Sequence, residues 1–97
     1  MPPPRAPLIA YKTIGEVAIL LDLPQHILRF WETRFDEIQP LRKGSGSRAR
    51  RLYRHEDIAL LNGIRFLMHA EGYTIRGIQR LLKKHGVQHV RDVVSTN

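Results

Sequence analysis

Pro24 separates two short amphipathic runs and rules out one continuous helix across them, because its ring disfavours helical geometry at the preceding residue and removes a backbone donor. The first run opens with Thr13-Ile14-Gly15-Glu16, which fits a capping box: the Thr hydroxyl serves the third helical amide and the Glu carboxylate reaches back to the Thr N–H. Ile14, Val17, Ala18 and Leu21 then recur at i, i+3, i+4 and i+7, so a helix of about two turns is expected, ending at Asp22-Leu23-Pro24. The second run begins with Pro24 or Gln25 in its first turn, where a missing N–H matters little, and extends through Glu32. Its Leu28, Trp31 and Phe35 share one face and are expected in the core, whereas His26, Arg29, Phe30 and Thr33 share a neighbouring, outward face.

The next segment is defined by charge. Of the formal net +7, residues 1–41 carry −1, residues 42–54 carry +6 and residues 55–97 carry +2. The middle stretch holds Arg42, Lys43, Arg48, Arg50, Arg51 and Arg54 with no acid, built around the turn-prone Gly44-Ser45-Gly46-Ser47. Segments 38–42 and 49–53 are expected to pair across that turn as a two-stranded ribbon. Ala49, Arg51 and Tyr53 then face one side and Arg48, Arg50, Leu52 and Arg54 the other, so both sides carry arginine. Arginine in preference to lysine favours phosphate contact, since the guanidinium fork matches phosphate oxygens. Two short helices at a tight turn, followed by a basic ribbon, form an arrangement that places its second helix in the major groove of DNA.

Downstream, a third helix is expected from about Glu56 to Ala70, with Ile58, Leu60, Leu61, Ile64, Leu67 and Met68 forming a wide apolar stripe. Thr74 is positioned to cap a fourth helix whose Ile75, Ile78, Leu81 and Leu82 form one face and whose Lys83, Lys84 and Gly86 mark its end. The fold class is therefore mainly α with a small β-hairpin, about four helices plus a two-stranded wing. The expected organisation is a flexible Pro-rich arm over 1–10, a folded domain over 11–86, and a tail or the start of a further helix over 87–97.

The 97 residues suit one small core, and 42% hydrophobic content disfavours full-length disorder. Having no cysteine, the chain has no disulfide, thiolate metal site or cysteine nucleophile. No apolar run approaches 18 residues, which points to a soluble protein without a membrane partner. No nucleophile–histidine–acid order or nucleotide loop emerges, so no enzyme, cofactor or metal is expected. His85 and His89 alone have a metal-like i, i+4 spacing, which Gly86 between them weakens.

Four motifs in order resemble the N-terminal winged-helix DNA-binding domain of the MerR family of transcription regulators. They are Tyr11-Lys12-Thr13-Ile14-Gly15-Glu16-Val17-Ala18, Leu28-Arg29-Phe30-Trp31-Glu32, Arg51-Leu52-Tyr53 with Glu56-Asp57-Ile58, and Glu71-Gly72-Tyr73-Thr74-Ile75. The resemblance implies that the second helix reads the major groove and that the hairpin lies on the backbone, with Arg51 and Tyr53 meeting phosphates. The DNA-binding set expected from charge, exposure and this likeness is Thr13, Gln25, His26, Arg29, Phe30, Arg42, Lys43, Arg48, Arg50, Arg51, Tyr53 and Arg54. Phe30 and Trp31 stand where the family usually has tyrosines, and Arg54 stands where a Ser or Thr commonly caps the next helix. The likeness further implies a homodimer on double-stranded DNA in a longer protein, a promoter used by RNA polymerase, and a cytoplasmic, nucleoid-associated location in bacteria. A low-specificity architectural protein that bends DNA is the alternative, and a module docking on an acidic protein is a third class.

Overall fold

In the computed structural model, residues 11–44 and 50–94 are described. The Pro-rich arm (1–10), the turn at 45–49 and residues 95–97 lie outside the described residues. The elements follow the order β1 (Lys12–Thr13), α1 (Ile14–Leu21), α2 (Gln25–Arg34), β2 (Leu41–Lys43), β3 (Arg50–Tyr53), α3 (His55–His69), α4 (Ile75–His85) and α5 (Val87–Asp92).

Both halves of the capping box form at α1: Thr13 Oγ1 accepts the Glu16 N–H at 3.3 Å, and Glu16 Oε1 accepts the Thr13 N–H at 2.9 Å. The end of α1 is made before the proline is reached. Asp22 adopts a left-handed conformation (φ 55°), and the N–H groups of Asp22 and Leu23 bond back to the carbonyls of Ile19 and Ala18. That is a Schellman closure, made by an aspartate because short polar side chains tolerate this region. Pro24 then serves as the N-cap residue of α2 in extended geometry. Leu28, Trp31 and Phe35 are buried, while Gln25, His26, Arg29, Phe30 and Thr33 are exposed, so the face division expected for the second helix holds.

The ribbon differs from expectation in two ways. Strand pairing begins at Leu41, with Leu41 opposite Leu52, Arg42 opposite Arg51 and Lys43 opposite Arg50. Pro40 has no N–H to offer a ladder, and Ile38 instead turns into the core, its N–H bonded to the Phe35 carbonyl. The sheet also has three strands in the order β1-β3-β2, because Lys12 and Thr13 pair with Tyr53 and Leu52. The wing is thereby joined directly to the residue that caps α1.

Five helices form among the described residues, the fifth lying in the segment read as a tail or the start of a further helix. Gly86, at φ 86°, ends α4 after Thr74 Oγ1 has capped its start through the Gly77 N–H. Residues 87–92 turn back as α5, and Val90 is fully buried against α3. Gly63 allows this approach, since a Cβ there would stand 2.1 Å from the Val90 carbonyl oxygen. The core behind α1, α2 and the sheet is completed by Leu60, Leu61, Ile64 and Leu67 of α3 with Ile78 and Leu82 of α4.

Candidate nucleic-acid interface

The outward face of α2 carries Gln25 and His26 in its first turn, then Arg29, Phe30 and Thr33. Phe30 is 43% exposed, and the Arg34 guanidinium lies 5.1 Å from its ring centroid. Thr33 Oγ1 donates to the Phe30 carbonyl at 2.6 Å. Across from this helix runs the wing, and between the two lies a groove of about 310 Å³ whose lining includes Arg29, Thr33, Gln39, Arg42 and Arg51. Three arginines, one each from α2, β2 and β3, thus line one depression. Such a grouping is stable only beside water or an anion, since three like charges repel.

Glu32, on the wing-facing side of α2, tempers that repulsion. Its Oε1 accepts from Arg51 Nε at 2.9 Å, and its Oε2 accepts from the Tyr53 hydroxyl. Tyr53 is completely buried, so it stands behind the surface, out of a ligand's reach, and the phosphate contact expected of it is replaced by this internal bond. Burial, with the Glu32 carboxylate as the second cause, pushes the Tyr53 hydroxyl well above the usual tyrosine range. Arg51 is partly exposed and reaches the groove.

Arg54 is also turned inward. Its guanidinium donates to both carboxylate oxygens of the buried Asp57, at 3.0 and 3.1 Å, and to the Gln39 carbonyl at 3.1 Å. The Arg54 backbone N–H donates to Asp57 at 2.9 Å, which is the half of a capping box that the acid at the third helical position supplies; the half that a Ser or Thr hydroxyl makes has no counterpart in the arginine side chain. Arg54, expected among the DNA-binding residues, thus ties the wing base to α3, and the Asp57 bond holds its guanidinium more firmly protonated. Thr13 is half-buried and committed to its capping box, where hydrogen bonds from Thr13 hold the Glu16 carboxyl below the usual range. Arg42 is exposed on β2. Arg48 and the side chains of Lys43 and Arg50 lie outside the described residues.

Two of the groups that matter most were missed. Glu32 closes the Leu28–Glu32 motif in the sequence without any role assigned to it, although it is the one acid between Asp22 and Asp36. Gln39, which lines the groove and whose carbonyl holds Arg54, carries no sequence signal of that role. The rings of His85 and His89 stack at 4.6 Å across the helix break at Gly86, and among the described residues no group of three or more His, Asp or Glu is placed to hold a metal. No helix among the described residues is long and apolar enough to cross a membrane.

The family model described as MerR HTH family regulatory protein matches residues 12–85, which span everything from β1 to the end of α4. No curated protein and no solved structure matches the chain.

Proposed function

Because this chain belongs to the MerR HTH regulatory proteins, a family of DNA-binding transcription regulators, we propose that it binds double-stranded DNA sequence-specifically, with α2 in the major groove and the wing on the phosphate backbone. The observation that carries this reading is the convergence of Arg29, Arg42 and Arg51 on the groove between α2 and the wing, beside the exposed first turn of the helix. Arginine forks at such a place meet phosphate oxygens in pairs, and a side chain one turn away reaches base edges. In this assignment Arg29, Gln25 and His26 read bases and Phe30 offers apolar contact to a thymine methyl. Arg42, Arg51, Lys43, Arg48 and Arg50 contact the backbone. Thr13, Tyr53 and Arg54 hold the frame from behind.

Two copies on an inverted repeat, and a promoter distorted for use by polymerase, extend the proposal by family membership. Selection from a random duplex pool at about 150 mM salt, where non-specific binding weakens, tests it. An enriched half-site supports sequence reading, and an inverted repeat of it supports the paired arrangement. Binding that persists at low salt with no enriched sequence overturns specificity and favours an architectural role. For four to six neutralised phosphates, log affinity should fall against log salt with a slope of about −4 to −5.

A further inference from the structure

Glu32 is a carboxylate placed where the proposed ligand is a polyanion, and that placement calls for a physical reason. It is the only acid in α2, and its side chain is 9% exposed. Bringing a carboxylate into such a site is costly unless its oxygens are bonded and its charge is paired. Both conditions are met by donors from one strand: Arg51 and Tyr53 of β3, 19 and 21 residues away in the chain. The hydrogen bond from Arg51 uses Nε, and among the described residues the terminal nitrogens of that guanidinium make no hydrogen bond to the protein. Arg29 and Arg42 lie along the same groove and, among the described residues, make no salt bridge. Glu32 therefore does not neutralise the groove at large; it is bonded to one arginine and orients it.

We propose that Glu32 is a positioning and specificity-determining residue: it locks β3 onto the recognition helix and cancels the charge of Arg51 toward phosphates in general, while leaving that guanidinium's terminal N–H groups set for one phosphate in the groove. The inference rests on the DNA-binding reading above. Its physical content is a trade between two kinds of attraction. A bare Arg51 draws any duplex through long-range charge, whereas a paired and oriented Arg51 contributes only when a phosphate arrives at hydrogen-bond distance, which requires α2 to be seated in the groove of its own site.

The test compares the full chain with Glu32→Gln and with the double variant Glu32→Gln/Arg51→Gln, on the selected duplex and on a scrambled duplex of equal length, across salt concentration. Gln keeps the shape and an acceptor oxygen but removes the charge. For Glu32→Gln the affinity for the scrambled duplex should rise about three- to tenfold at low salt, its salt slope should steepen by about 0.9, and the ratio of specific to scrambled affinity should fall about tenfold or more. The double variant removes both charges of the pair together, so it remains testable if the single variant melts early. Its scrambled affinity should lie within about twofold of the original, with the specific affinity reduced. Equal losses on both duplexes with an unchanged slope would assign Glu32 to stability alone and overturn the proposal, as would a double variant that keeps full specific affinity. If the unaltered chain itself fails to distinguish the duplexes, the DNA reading has failed, and that outcome is visible before any variant is made.

Discussion

Helices α2 and α3 lie in the same small domain and are built to opposite ends. In α3, Leu60, Leu61, Ile64 and Leu67 are buried and Gly63 is pressed against α5, so most of its sides meet protein. In α2 only Leu28 and Trp31 are buried, and the side away from them presents amide, imidazole, guanidinium and an exposed phenyl ring. Neither helix has an N-cap side chain that accepts a backbone N–H: Pro24 has no polar side chain, and Arg54 has no acceptor. Tertiary contacts hold both. The contrast teaches that stability and recognition are carried by different helices, so that substitutions in α3 should change melting and leave sequence preference alone, with the converse for the outward face of α2.

The comparison is broken most severely at Leu61. Leu61→Ala, which empties part of a fully buried site, should cost about 2–5 kcal/mol in denaturant unfolding while the folded fraction still selects the same DNA sequence. Tyr53→Phe removes a bond to a carboxylate and should cost about 1.5–3 kcal/mol near neutral pH. Its pH dependence sharpens the assignment. Because the folded state raises the Tyr53 pKa, its stabilising share is fully present below the ordinary value of about 10 and fades as pH climbs through the folded value. The alkaline limb of the stability profile should therefore be flatter in the Phe variant, and an unchanged limb would show that the hydroxyl does not depend on burial. Gly63→Ala forces a methyl into the Val90 carbonyl and should cost about 1–3 kcal/mol by thermal melting, although alanine is the better helix former. The smallest effect is expected at Glu16. Its carboxyl is held below the usual range, so its contribution is present above that range and is lost as pH falls through the folded value; Glu16→Gln should flatten the acid limb of the profile.

The parts legible in the sequence are those written in local chemistry. The Thr13 cap, the two faces of α2 and the Thr74 cap depend on nearby residues and stand as read, while the break between α1 and α2 stands in place but is made by Asp22 ahead of Pro24. The wing was legible as a basic hairpin but not in its ends, because Pro40 stops the ladder and Ile38 follows the core. Strand β1 has two residues, too few for any period to register. Helix α5 is short and held by a glycine 27 positions earlier, a contact that no valine spacing discloses. The candidate site divides in the same way. Its exposed residues follow from helical periodicity, whereas the inward turn of Tyr53 and Arg54 depends on Glu32 and Asp57. Arg54 and Asp57 are only three residues apart, yet an arginine turned back onto a buried acid leaves no periodic or capping signature in the sequence.

The separation between a stabilising α3 and a reading α2 is tested most directly at Arg29, which is exposed and lines the groove. Random-pool selection at about 150 mM salt, run on the original chain and on Arg29→Ala with melting curves alongside, measures preference and stability together. The account predicts that Arg29→Ala melts as the original does, keeps its binding to scrambled duplex within a small factor, and loses about 1–3 kcal/mol of discrimination at one base position of the site. An unchanged selected sequence, or a loss of preference that appears only together with a lower melting temperature, would contradict it.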